Sequence, residues 1–333
     1  MPVNSEIFRI YRHLFYGSPL NMSEISVSVV VPVYNCDQFI ENCIQSVISQ
    51  TLTNFEIIIL DDCSTDETLS RIPRDPRIRI LAKKEKKGSG ILRNEGIKLA
   101  KGKYIAFLDG DDFYPNKNSL KKLVEIAEKK KLDIVGGSLF IVNQLTNEIN
   151  YKFPGQYFTE DGFIKYENYQ HDGGFYRFIY RSNFLRKNQI QFPAFRRMQD
   201  PVFFVKAMIK CGSFYVIKDY VYAYRKFHKE VEWNKNLVEE KLSAILLILK
   251  ISRKHKLSHL HYLMVKNFIN FSNHHLADLR NFKNQVKLFL LIYRKIDFKL
   301  LKEGWSSDKI NFLRLKLFGV FFKSFFDLTK EKK

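Results

Sequence analysis

Three apolar runs in the first third of the chain stop abruptly at polar turns, and they constrain the fold more than any other feature. Residues 26–33 (SVSVVVPV) end in Tyr34-Asn35, residues 55–60 (FEIIIL) end in Asp61-Asp62, and residues 104–108 (YIAFL) end in Asp109-Gly110-Asp111-Asp112. Near-continuous β-branched runs of this kind are strands buried on both faces, as in a parallel sheet. Helical spacing fills the gaps. Phe39, Ile40, Cys43, Ile44, Val47 and Ile48 line one face of residues 37–50, with Asp37 as candidate N-cap. Residues 65–71 begin a second helix, residues 78–81 form a short strand, and residues 88–102 contain a third helix. This β-α-β-α order calls for a mostly parallel α/β sheet with right-handed crossovers, and such sheets bind ligands beyond the carboxyl ends of their strands. Tyr34, Asp61, Asp62 and residues 109–112 all fall on that edge.

Three carboxylates within four residues repel one another unless a cation sits among them. Carboxylate oxygens are hard ligands suited to Mg²⁺ or Mn²⁺. Gly110 lets the turn fold tightly and lets a ligand approach the backbone. Asp and Gly are also ordinary turn residues, so the tetrapeptide alone leaves both readings open.

The remaining pattern is mixed and then helical. Residues 119–131 read as an amphipathic helix and 133–142 as a strand. Residues 146–175 read as a polar, aromatic loop or hairpin over the site. Residues 175–187 and 200–211 read as helices, and 214–224 contain a strand. Helices follow at 239–256, 258–277, 281–295 and 308–328. The expected division is an appendage at 1–24, a catalytic domain at 25–232 and a basic helical region at 233–333. In the appendage, Ile7, Ile10, Tyr11, Leu14 and Phe15 share one helical face; Met22 offers an alternative start.

Composition narrows the class. At 45% hydrophobic residues the chain of 333 is globular. Cys36, Cys43, Cys63 and Cys211 have no CxxC spacing, which suits a reducing compartment better than zinc or disulfides. No run of 18 apolar residues exists, and Arg9, Arg12 and His13 interrupt any signal-peptide core. The expectation is a cytoplasmic protein. The net charge of +20 points to anionic partners. Residues 237–333 carry 20 Lys and Arg against 8 Asp and Glu. Their most apolar piece, residues 312–326 (FLRLKLFGVFFKSFF), suits docking on an anionic membrane surface, packing on the catalytic domain, or pairing with a second copy.

Five ordered motifs resemble those of family 2 glycosyltransferases of the GT-A fold: VVVPVYN at 29–35, SVISQT at 46–51, IIILDDCSTDET at 57–68, LRNEGIKLAKGKYIAFLDGDD at 92–112 and MQDPVFF at 198–204. The resemblance covers residues 27–228. It implies an inverting enzyme that moves a sugar from a nucleotide diphosphate donor, a UDP-sugar foremost, to a hydroxyl of a glycan or lipid-linked glycan of a bacterial surface, such as capsule or lipooligosaccharide. By that resemblance Tyr34 packs on the base beside Pro32, Asp62 accepts from the base imide, and Asp61 supports the loop. Arg93 lies near the diphosphate. Asp111 ligates Mn²⁺ or Mg²⁺, Asp109 contacts ribose or metal-bound water, and Asp112 orients the turn. Asp200 is the general base; the family's Glu-Asp pair is Gln199-Asp200 here. Arg225 and His228 match a closing segment that reaches the diphosphate or the metal. Gly173 and Gly174, beside Asp172, bring backbone close to the donor sugar. The flanking Lys83, Lys84, Lys86 and Lys87 read as mostly solvated. Rival readings are a nucleotidyltransferase, against which the Gly-poor VPVYNCDQF argues, a basic nucleic-acid- or membrane-binding protein, and a non-catalytic assembly subunit. No nucleic-acid motif is present, and nucleic acid is not an expected partner.

Overall fold

The structure, a computed structural model, describes residues 24–226, 233–279 and 283–304. The expected helices at the N-terminus and at 308–328, the apolar stretch 312–326, and His228 lie outside the described residues.

The chain divides into two compact units. The first holds the described residues of Met1–Tyr166, Gly173–Ala194 and Lys206–Glu230. It is built on one nine-stranded sheet in the order β3-β2-β1-β4-β8-β5-β9-β7, with β6 paired to β5. The strands are β1 (Val27–Val33), β2 (Phe55–Asp61), β3 (Ile78–Ala82), β4 (Tyr104–Phe107), β5 (Ile134–Asn143), β6 (Ile149–Asn150), β7 (Gly162–Lys165), β8 (Phe178–Arg181) and β9 (Ser213–Lys226). The first four are mutually parallel. Beyond β4 the sheet is mixed: β8 runs antiparallel to both β4 and β5, and β9 runs parallel to β5.

Every residue of β1 and of β2 is buried, as their unbroken apolar runs require. Burial of each such Val or Ile side chain stabilises the fold by about 1.5–3 kcal/mol. Helices α1 (Asp37–Ile48), α2 (Ser89–Leu99) and α3 (Ser119–Lys129) follow β1, β3 and β4. Gly96 lets α2 approach the sheet, since a Cβ there would collide with Val30.

Three expectations change. Asp37 is the first residue of α1, not its cap; Cys36 holds the cap position and its side chain makes no capping bond. The helix start is tied instead by the loop after β2: Asn35 N–H donates to Ser64 Oγ (3.0 Å), Cys36 N–H to Thr68 Oγ1 (2.8 Å) and Asp37 N–H to Asp66 Oδ2 (3.2 Å). Those loop residues therefore form turns and not the helix expected at 65–71. Residues 175–187, expected as one helix, are a 3-10 turn at Phe175–Arg177, strand β8, and a short helix α5 (Ser182–Lys187), after a one-turn α4 at Tyr166–Tyr169. Tertiary pairing overrides helical spacing there, because Phe178–Arg181 supplies the strand that separates β4 from β5.

The second unit holds Glu167–Asp172, Phe195–Val205 and the described residues from 233 onward. The division passes through α6 (Gln199–Cys211). Helices α7 (Lys235–Lys254), α8 (Ser258–Leu279), α9 (Lys283–Tyr293) and α10 (Phe298–Glu303) make its body. Leu242, Ile245 and Leu249 of α7, Leu260, Val265 and Phe268 of α8 and Phe289 of α9 are buried, and the Phe268 and Phe289 rings lie 4.9 Å apart. His261 is buried as well: its Nδ1 lies 2.9 Å from Ser252 Oγ and its Nε2 accepts from Asp297 N–H at 3.0 Å. No described helix is long and apolar enough to cross a membrane.

Candidate active site

The carboxyl ends of β1, β2 and β4 stand side by side, with β1 in the middle. After β1 the chain turns through Asn35 at a φ of 44°, and after β2 through Cys63 at 64°. These left-handed residues turn the loops sharply at the strand ends.

The β2 end is an anchor for backbone. Asp61 accepts from Ser64 N–H through both oxygens, at 3.2 and 3.3 Å. Burial raises its carboxyl above the usual range, against the Ser64 hydrogen bonds that lower it. Asp62 accepts from Lys87 N–H (2.6 Å) and Gly88 N–H (3.0 Å), fixing the basic loop that leads into α2. Beside it Tyr34 is 38% exposed. Lys86 Nζ lies 3.9 Å from the centre of its ring and also bonds its hydroxyl, so part of the basic run is engaged and not merely solvated. Pro32 is buried in β1, opposite Leu60 of β2.

The β4 end is held differently. Oxygens of Asp109, Asp111 and Asp112 lie within 4.8 Å of one another. Arg93, on α2 and only 4% exposed, donates to Asp109 Oδ1 at 2.5 Å and to Ser89 Oγ at 3.2 Å. Its guanidinium lies 5.0 Å from the Phe175 ring centre and 5.4 Å from that of Phe192. It is thus a buried counter-ion of the acidic turn, engaged with protein groups at the position where the resemblance places a phosphate contact. Asp112 has no solvent exposure. Its Oδ2 accepts from Tyr222 Oη (2.7 Å) and its Oδ1 from Arg225 N–H (2.7 Å). Burial, then the charges of Asp111 and Asp109, push its carboxyl well above the usual range. The Arg225 guanidinium donates to Asp111 carbonyl O and to Asn42 Oδ1, each at 2.7 Å. Gly110 serves packing: a Cβ there would meet Val33 and Cys36 at 2.9 and 3.0 Å.

Three participants were not legible in advance. Tyr222 and Asn42 carry no motif, and Phe192 lies nearly a hundred residues from Arg93 in sequence. Gly174 has a φ of 80° and a Cβ on it would collide with Gln156, so glycine is required there by the backbone and by that neighbour; Gly173 lies against the same side chain. In the second unit, Asp200 stands in the first turn of α6, one residue inside its start, rather than capping it. Asp172 of the same unit has its carboxyl pushed up to about 6, by burial first and also by the Asp200 charge.

The acidic turn suits a hard divalent cation. Its donors are all carboxylate oxygens, and both oxygens of Asp112 are already taken by Tyr222 and Arg225. Asp111 and Asp109 are the residues that would hold such an ion, with remaining positions left for water and phosphate oxygens.

Residues 28–186 match the glycosyl transferase family 2 model. This stretch, just under half of the chain, carries the likeness to glycosyltransferase family 2. Among curated relatives, glycosyltransferase GlyG of Streptococcus pneumoniae is 27% identical over 66% of this chain and 78% of its own length. The uncharacterized glycosyltransferase EpsJ of Bacillus subtilis is 32% identical over 60% of this chain and 61% of its own. The UDP-Glc:alpha-D-GlcNAc-diphosphoundecaprenol beta-1,3-glucosyltransferase WfgD of Escherichia coli is 35% identical over 40% of this chain and 52% of its own. The chain thus spans less than two thirds of the length of EpsJ and WfgD. Among solved structures, residues 1–349 of S. aureus TarS in complex with UDP-GlcNAc align with a TM-score of 0.65 over 83% of this chain and 82% of that one, at 20% identity. That likeness carries the fold: an α/β GT-A sheet followed by a helical region.

Proposed function

We propose that this family 2 enzyme transfers a sugar from a UDP-sugar to a hydroxyl of a growing bacterial surface glycan, with inversion at the anomeric carbon. The observation that carries the reading is the acidic turn after β4, set beside Asp62 and Tyr34 on one edge of the sheet. A nucleotide needs a face to stack on, an acceptor for its base N–H, and a site for its diphosphate, and these three groups supply them. The names of relatives point the same way: WfgD acts on a UDP-glucose donor, and a Bacillus spizizenii relative is a poly(ribitol-phosphate) beta-glucosyltransferase.

In this reading Tyr34 and Pro32 flank the base and Asp62 accepts from it, while Asp61 holds the loop. Asp109 and Asp111 hold Mn²⁺ or Mg²⁺, which when bound neutralises charge building on the leaving nucleoside diphosphate. Arg93 pairs with Asp109 and holds its carboxylate in place. Asp200 takes the proton from the acceptor hydroxyl as its oxygen bonds to the anomeric carbon and the bond to the diphosphate oxygen breaks. Gly173, Gly174, Arg225 and His228 complete the donor surroundings, with His228 as a further metal ligand. Residues 25–232 form the catalytic domain. The basic helices beyond 233 bring it to the inner face of the cytoplasmic membrane, where a lipid-linked acceptor resides, or pair it with a second copy.

The test is nucleoside diphosphate release from a panel of nucleotide-sugars with Mn²⁺ or Mg²⁺, with donor binding followed by thermal shift. One donor gives slow, metal-dependent release, and Asp111→Ala and Asp200→Asn each lower it at least about a hundredfold. Failure of every nucleotide-sugar to bind in the presence of metal would sink the reading.

A further inference from the structure

Tyr222 sits on β9, more than a hundred residues from the acidic turn, yet its hydroxyl lies inside that turn. It donates to Asp112 Oδ2 at 2.7 Å and accepts from Asp109 N–H at 3.2 Å. The side chain has no solvent exposure. Its ring is fixed by Tyr176, stacked at 4.4 Å and 25°, and by Tyr114, edge-on at 6.2 Å. One hydroxyl therefore links the backbone of the first acidic residue to the side chain of the last. Gly110 and Asp111 lie between them in this link.

We infer that Tyr222 is a positioning residue that presets the carboxylates of Asp109 and Asp111 for a divalent cation. This deepens the metal-dependent reading above and rests on it. The physical argument concerns repulsion. Three carboxylates within 4.8 Å drive the turn open when no cation is among them. Asp112 cannot relieve this by swinging into water, because Tyr222 Oη and Arg225 N–H hold its two oxygens. The Asp109 end is held by the same hydroxyl through the backbone and by Arg93 through the side chain. The turn is therefore built before the ion arrives, so little ordering remains to oppose binding. Groups that orient ligands without touching the ion typically alter metal affinity 10–100-fold when removed.

The experiment titrates the full chain with Mn²⁺ in the presence of UDP, following the signal of free Mn²⁺ by electron paramagnetic resonance. Tyr222→Phe removes only the hydroxyl, and it raises the Kd for Mn²⁺ at least about tenfold. Tyr220→Phe serves as control: Tyr220 lies on the same strand, and its hydroxyl bonds Tyr151 carbonyl O far from the acidic turn in sequence. It leaves the Kd unchanged. A purely structural Tyr222 would lower the melting temperature and leave the Kd within twofold, and that result overturns the inference while the metal reading survives. Absence of Mn²⁺ binding by the unaltered chain overturns both. If Tyr222→Phe does not fold, 3-fluorotyrosine placed at position 222 decides. Its ¹⁹F resonance shifts when Mg²⁺ and UDP are added, and a resonance that does not move overturns the inference.

Discussion

The sheet ends in acid twice, and the two ends are finished in opposite ways. Asp61, the last residue of β2, and Asp62 after it are met by main-chain N–H groups of Ser64, Lys87 and Gly88. Asp109, Asp111 and Asp112, after β4, are met by side chains: Arg93 from α2, and Tyr222 and Arg225 from β9. A carboxylate that accepts from main-chain amides holds a loop. Three carboxylates gathered in one turn and held by side chains are, in the proposed reading, the place for a cation. The residue types are the same; the neighbours decide which is anchor and which is site.

The largest expected effect tests the second half of that contrast. Arg93→Ala removes the cation buried against Asp109 and beside the Phe175 and Phe192 rings. It leaves the Asp109 carboxylate beside two others without its guanidinium partner, and it opens a cavity beside the rings. The expected loss is about 3 kcal/mol or more, read by chemical denaturation of the full chain. If the acidic turn is a cation site, Mn²⁺ with UDP raises the melting temperature of Arg93→Ala by more than that of the unaltered protein. Equal shifts would mean that Arg93 and the metal act on different charges, and the contrast between the two strand ends would lose its electrostatic basis.

A smaller effect belongs to the anchor. Asp62→Ala strips the acceptor from two amides of the loop leading into α2. That loop lies at the surface, so water can satisfy them in part, and the expected cost is about 1–2 kcal/mol. UDP affinity falls about tenfold, because Lys86 and its place over Tyr34 depend on the same loop. Mn²⁺ binding in the absence of nucleotide is unaffected. A loss of metal affinity in Asp62→Ala as large as in Asp111→Ala would show the two ends to be one site.

This division also governs what could be read from the chain alone. The anchor half was legible, because β1, β2 and β4 are apolar runs long enough to be buried strands and the acids follow at once. The helix expected at 65–71 failed because Ser64, Asp66 and Thr68 spend their side chains on the start of α1, a use that local spacing cannot reveal. In the site half the acids, Arg93 and Arg225 could be singled out, but not how they are joined. Nothing in VIKDYVYAYRK says that β9 lies beside β5, that β8 separates β5 from β4, or that the residues around Ala223 reach back to Phe113. Tyr222 becomes visible only when those pairings are known, because its partners are chosen by sheet order.

A third acidic pair sharpens the comparison at the small end of the scale. Asp172 and Asp200 belong to the second unit, and each charge disfavours the other. Burial, with help from Asp200, pushes the Asp172 carboxyl up to about 6, above the usual aspartate value near 4. The sign follows from proton binding. The folded chain binds this proton more readily than the unfolded chain, so ionised Asp172 weakens the fold, and stability from this group rises as pH falls from above 6 towards 4. Asp172→Asn removes the penalty. Its melting temperature is higher than that of the unaltered protein by a few degrees at pH 7.5, and the difference shrinks to nothing at pH 4. The turnover number on the plateau stays within about threefold, because Asp172 takes no proton in the transfer. A stability gain independent of pH would mean that the Asp172 carboxyl binds its proton equally well in the folded and the unfolded chain.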